Sequence, residues 1–236
     1  RHAARTWAGQ LRRVGVDPDL APVVDTVPGP LAARHNPPMG RSDRGFGYTP
    51  RRVARHGVAL LRGLDDGGVV PTVKHFPGLG RVRANTDTSA GVTDRVTRRH
   101  DPYLRPFAAA VDAGAPVVMM STAYYSRLDP KRPAAFSPFV IGTVLRGDLG
   151  FDGVVVSDDL ARARQVASFS PGGRALRFVR AGGDLLLSVD PGPVPAMYHA
   201  LLQRARSSAA FRAKVDAAVL RVLRVKQQQG LLPGTS

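Results

Sequence analysis

The sequence contains no cysteine, which excludes disulfides, thiolate metal sites and a cysteine nucleophile, while leaving the compartment open. It also lacks any window approaching the ~18 consecutive apolar residues that span a bilayer. The first residues, Arg1-His2-Ala3-Ala4-Arg5, lead into an amphipathic pattern without the apolar core of a signal peptide. A cytoplasmic and an exported setting therefore both stand, since any leader would lie upstream of Arg1. Acidic residues are scarce: 34 Lys+Arg face 18 Asp+Glu, a formal charge of +16 over 236 residues. Such a balance raises nucleic acid, a membrane surface or an acidic cell-wall polymer as partners. The basic residues are nearly all arginine and scattered in ones and twos, as in Arg12-Arg13, Arg51-Arg52 and Arg98-Arg99. Aromatics are few, at 6%, and no basic stripe is interleaved with stacking rings, so the reading is a solvated basic surface and no nucleic-acid partner.

What is present is a 43% hydrophobic content, ordinary for a packed core, arranged as amphipathic stretches alternating with short apolar runs. That alternation predicts βα units around a parallel sheet. Helices are expected over Thr6 to Val14, Arg51 to Leu64, Tyr103 to Ala113, Pro138 to Arg146, Gly173 to Arg180, Val194 to Arg206 and Ala209 to Gln228. Strands are expected over Leu20 to Val24, Val69 to Phe76, Pro116 to Ser121, Gly153 to Ser157 and Asp184 to Val189. Gly114 and Gly182-Gly183 sit where helices end, and Gly230 and Pro233 mark the tail. No composition break divides the chain, which reads as one domain over residues 1–236. The fold class is α/β, a (β/α)8 TIM-type barrel. About five strands are visible where a closed barrel has eight, so strands are expected to be missing on the N-terminal side.

Four strand ends carry residues that packing alone would not select: Asp25, Lys74-His75, Ser121-Thr122 and Asp158-Asp159. In a barrel these ends share the face that holds active sites. Lys74 can donate to sugar hydroxyls as a point charge, and His75 can donate or accept; the alternative is a snorkelling lysine and a core histidine. Side chains alternate along a strand, so one of Asp158 and Asp159 faces the axis and the other is free to cap the next helix or hold a partner. The inward one can serve as nucleophile in retaining glycoside hydrolysis or as a metal ligand; the alternative is two capping acids. The long polar loop Leu79 to Asp94 is of the kind that closes over substrate, and Asp87 and Asp94 are its proton-transfer candidates.

KHFPGLG at Lys74 to Gly80, VVSDDL at Val155 to Leu160, LAPVVD at Leu20 to Asp25 and SDRGFG at Ser42 to Gly47 together resemble glycoside hydrolase family 3, specifically its β-N-acetylglucosaminidase branch. The resemblance runs over nearly the whole chain. It implies that Asp158 is the nucleophile of a covalent glycosyl-enzyme intermediate. It implies further that Arg44, Lys74 and His75 bind the N-acetylglucosamine ring, and that terminal β-linked N-acetylhexosamine is removed with retention from cell-wall-derived or related glycans. A carbohydrate is then the only partner, with no metal and no organic cofactor. Two departures stand out. Where the branch has Asp-Ser-His as general acid/base, this chain has Asp87-Thr88-Ser89, which leaves Asp87 as a lone carboxylate. Such an acid needs its pKa raised by burial, and Arg81 and Arg83 are expected to push it down. The branch's early Asp-x-Glu-Gly-Gly segment is also absent. A β-glucosidase or xylosidase of the same family, and a barrel that binds glycan without cleaving it, are the alternatives.

Overall fold

The computed structural model describes residues 1–232. Its elements run α1 (His2–Arg13), β1 (Pro18–Asp19), α2 (Pro30–Arg34), α3 (Pro50–Asp66), β2 (Val70–Phe76), β3 (Thr93–Asp94), α4 (Arg105–Asp112), β4 (Val117–Met120), β5 (Tyr124–Tyr125), β6 (Asp129–Pro133), β7 (Val154–Ser157), α5 (Pro171–Ala181), α6 (Val194–Ser207) and α7 (Ala209–Gln228). Local chemistry sets the helix starts. Thr49 accepts the Arg52 N–H ahead of Pro50, Ser170 accepts the Gly173 N–H ahead of Pro171, and Ser208 accepts the Phe211 N–H. Each side chain satisfies a donor that the first helical turn leaves open, and the two prolines occupy positions where a missing N–H costs nothing. α5 stops at Gly182, whose φ of 105° suits a residue without Cβ.

Four strands form one parallel sheet in the order β1-β2-β4-β7. Its two faces separate by alternation. Val73, Phe76, Val118, Met120 and Val155 enter the main core with Leu61, Phe107, Ile141 and Phe178. Val117, Met119, Val154 and Val156 face the other way and meet Val222 and Val225 of α7. Burial on both faces is why these strands are apolar throughout. A smaller sheet, β3-β5-β6, joins the loop after β2 to the chain after β4. Neither that sheet nor α2 had a periodic signal in the sequence.

The expected α/β class is present, with a main parallel sheet of four strands. Several finer expectations are corrected. The strand expected over Leu20 to Val24 is broken: β1 is Pro18–Asp19, and Val23 makes only an isolated bridge to Lys74. Pro18 and Pro22 have no N–H to give a ladder. Between Asp184 and Val189 only Leu185 bridges to β7. The reason is competition, because the Leu187 N–H goes to Ser157 Oγ at 2.9 Å and the Val189 N–H to Asp159 Oδ1 at 3.1 Å. The helix expected over Pro138 to Arg146 is a π-helix, Phe139–Asp148, a difference of turn width too small for apolar spacing to register over ten residues. Pro233 lies outside the described residues. Among those residues no helix is long and apolar enough to cross a membrane.

Candidate active site

Parallel strands place their C-terminal ends along one edge, where α/β sheets bind ligands. Here that edge carries Lys74-His75, Ser121-Thr122 and Asp158-Asp159 at the ends of β2, β4 and β7, while Asp25, beyond the broken first strand, joins it through His75.

Asp159 is buried and accepts four backbone N–H groups, from Ala161, Arg162, Ala163 and Val189, at 2.8–3.1 Å. It is the acid of the pair that holds the turn after β7 together. Asp158 is half-buried, and its Oδ1 accepts the Asp159 N–H at 2.9 Å. Among the described residues no other hydrogen bond engages its carboxylate, so it is free to meet a ligand.

Lys74 stands at the end of β2. Burial lowers its pKa first and the Arg44 guanidinium second, while Asp158, Asp19 and Asp25 raise it. Arg44, exposed in the loop ahead of α3, donates from Nη1 to the Pro38 carbonyl at 3.1 Å. Arg44 and Asp158 are thus each close enough to Lys74 to act on it. Asp87 lies at the solvent-facing rim of its loop. Its pKa is raised, first by partial desolvation and then by the Asp158 carboxylate, with His75 and the Asn85 side chain acting in the opposite sense. The expectation that Arg81 and Arg83 would lower it is corrected for Arg81. That guanidinium is turned away, 2.9 Å from Asp101 and stacked 3.6 Å above the Tyr103 ring, and neither arginine is among the groups shifting Asp87. Asp94 does not join the site. It is fully buried, taking the Val96 and Thr97 N–H groups and the Thr97 hydroxyl at 2.6–2.8 Å. The sequence therefore brings Arg44, Lys74, His75, Asp87 and Asp158 to one place and sets Asp94 apart.

Asp25 was visible only as a polar strand end, and it organises this edge. It is completely buried, accepts the His75 and Leu79 N–H groups, and lies 2.8 Å from His75 Nδ1. A carboxylate that only accepts requires hydrogen on Nδ1, which leaves Nε2 for the site. The turn that follows owes its glycines to geometry: Gly78 has φ 124°, and a Cβ on Gly80 would run into the Thr26 carbonyl. Asn36 completes the frame, donating to the Leu79 and Val82 carbonyls at 2.8 Å while its oxygen caps Met39 and Gly40. Asp25→Ala strands three donors at once. With each buried orphan costing about 1–3 kcal/mol, the expected loss is at least about 3 kcal/mol, read from urea unfolding at neutral pH; a loss under about 1 kcal/mol would contradict the account.

Among the described residues no group of three or more His, Cys, Asp or Glu side chains is arranged to hold a metal ion. A cavity of about 970 Å³ beside α2 is lined by Leu31, His35, Arg83, Val92 and Val96, and by none of the five residues gathered above. The chemistry therefore singles out the strand ends rather than this hollow. All 18 acidic residues of the chain are aspartates, so any carboxyl that moves a proton here is an aspartate.

Residues 1–225 match the family described as "Glycosyl hydrolase family 3 N terminal domain". A β-hexosaminidase of Stenotrophomonas maltophilia (strain K279a) is 38% identical over 219 residues, which cover 89% of this chain and 60% of that protein. The crystal structure of a β-N-acetylhexosaminidase from Beutenbergia cavernae DSM 12333 superposes with a TM-score of 0.94 at 48% identity, covering 96% of this chain and 67% of that one. A family 3 β-N-acetylglucosaminidase from Paenibacillus sp. str. FPU-7 gives a TM-score of 0.89 at 34% identity, over 100% of this chain and 44% of its own. The chain thus spans about three fifths of the length of the curated relatives it matches first.

Proposed function

The chain belongs to glycosyl hydrolase family 3, and from that premise we propose that the protein it represents is a retaining β-N-acetylhexosaminidase. The substrate class is a glycan ending in β-linked N-acetylglucosamine, of cell-wall or related origin. We read the parallel sheet as an arc of a (β/α)8 barrel, with residues 1–236 belonging to a single domain. The observation that carries the reading is a pair of carboxyls, Asp158 at the end of β7 with one oxygen unengaged among the described residues and Asp87 on the loop after β2, held toward its protonated form by partial desolvation and by Asp158. A free carboxylate beside an acid whose pKa is raised is what a retaining mechanism uses.

Asp87, protonated, donates to the glycosidic oxygen as the bond to the leaving group breaks. The Asp158 carboxylate attacks the anomeric carbon and forms a glycosyl ester. Asp87, now ionised, takes a proton from water, and the water oxygen displaces Asp158. Every proton and electron pair is accounted for by these two groups, so no metal or organic cofactor is required. Lys74, Arg44 and His75 Nε2 bind ring hydroxyls. Asp25 fixes the face that His75 presents.

The test uses the full-length protein and an aryl β-N-acetylglucosaminide, with the anomer first released followed by NMR. Turnover giving the β-anomer is expected, and the matching β-glucoside, which differs only at the 2-substituent, is expected to react at least about tenfold more slowly. Equal or faster cleavage of the glucoside or xyloside would move the assignment within the family. Binding without cleavage would leave a glycan-binding protein.

A further inference from the structure

The loop that bears Asp87 is long, and loops of that length are ordinarily the mobile part of a site. This one is fastened at both ends of the segment Thr86 to Val92. The Arg164 N–H donates to the Asp87 carbonyl and the Gln165 N–H to the Thr86 carbonyl, each at 3.0 Å. The Gln165 side chain then grips Val92 twice, with Oε1 accepting its N–H at 2.9 Å and Nε2 donating to its carbonyl at 3.1 Å. Both ends of one amide are thus spent on both backbone groups of one residue, the pairing a neighbouring strand would supply. Gln165 is 4% exposed. A leucine would fill the same volume without a desolvated amide, so packing alone does not account for a glutamine here.

The other side of the joint is equally fixed. Residues Leu160 to Phe169 follow directly on Asp158-Asp159. The N–H groups of Ala161, Arg162 and Ala163 are collected by Asp159, and the carbonyls of Leu160, Ala161 and Phe169 accept from the buried Arg174 guanidinium at 2.7–2.8 Å. A continuous set of hydrogen bonds therefore leads from the end of β7 to the backbone of Asp87.

We infer that Gln165 is a positioning residue that docks the Asp87 loop onto the Asp158 loop, so that the proton donor is held ready beside the nucleophile before substrate arrives. The inference rests on the reading of Asp87 as general acid. Gln165 touches neither substrate nor reacting atoms in this account. Its effect is on where Asp87 stands, and an error of about 1 Å in such a group can cost about 100-fold.

The experiment compares two aryl β-N-acetylglucosaminides on the full-length protein, one with an acidic phenol that departs unaided and one with a weakly acidic phenol that needs a proton. For Gln165→Leu, kcat/KM, which reads the glycosylation step alone, is expected to fall roughly 30-fold or more on the second and less than about threefold on the first. Arg164→Pro removes the N–H that reaches Asp87, together with an exposed side chain. It suits a site where Ala163 has ψ 119° and position 164 opens a helical turn, and it should act in the same direction more weakly. Hydrogen exchange supplies a reading independent of turnover: the Val92 amide should exchange at least about tenfold faster in Gln165→Leu. Equal losses on both substrates, or unchanged protection at Val92, would overturn the inference. Asp87→Asn is measured alongside. If it fails to separate the two substrates, the assignment of Asp87 falls; if it separates them and Gln165→Leu does not, only the positioning role falls.

Discussion

Asp158→Asn is expected to lower kcat on an aryl β-N-acetylglucosaminide by roughly 10⁴-fold or more, the scale seen when a covalent nucleophile is removed. The substitution is close to isosteric. The amide oxygen still accepts the Asp159 N–H that Asp158 Oδ1 takes at 2.9 Å, and a half-buried site does not expel a carboxamide. Folding should be undisturbed, with the urea midpoint within error of the parent. An amide oxygen is a poor nucleophile, and its neutrality also removes the charge that steadies a developing oxocarbenium ion. What survives is binding and proton donation. A variant that keeps a tenth of its activity would remove Asp158 from the reaction and return Asp159 to consideration, although Asp159 is already committed to four N–H groups.

Asp87→Asn should have a different signature. General acid catalysis is worth roughly 10²–10⁴-fold, and in kcat/KM that loss is expected only where the leaving group needs a proton, whereas kcat falls on both substrates because Asp87 is also the base of the second step. The pH profile carries the second half of the prediction. Asp87 works protonated in the first step, and partial desolvation and Asp158 both raise its pKa. In the parent protein kcat/KM should therefore fall as pH rises through a point above the ordinary carboxylate range, and in Asp87→Asn that alkaline limb should vanish. An alkaline limb that persists in the variant would mean another group donates the proton, and His75, the neighbour that acts on Asp87 in the opposite sense, would be the next to test.

How far the sequence could lead is clearest at particular residues. Val117 to Met120 and Val154 to Ser157 were legible as strands because both faces are buried and leave an unbroken apolar run. Lys74 and Asp158 were legible because packing gives no reason to place them there. Asp25 was half legible, its place at a strand end evident and its hold on His75 Nδ1 not, since a contact across 50 positions has no trace in local pattern. Gln165 and Arg174 gave no signal at all. A glutamine in a polar loop looks like any solvated residue until the loop it grips, 73 positions earlier, is folded beside it. The same holds for Leu187 and Val189, apolar enough for a strand but with N–H groups claimed by Ser157 and Asp159 side chains.

The turn after β7 has one further property. Three of its amide hydrogens are gathered on one anion, Asp159, and three of its carbonyl oxygens on one cation, Arg174, which feels the charge of Asp159. Losing either alone would strand a buried charge opposite backbone dipoles already turned toward it, whereas losing both together leaves a turn that a different polar pair could rebuild. Substituting both positions should therefore cost less than the sum of the two single substitutions, a coupling that a double-mutant cycle on urea unfolding would read.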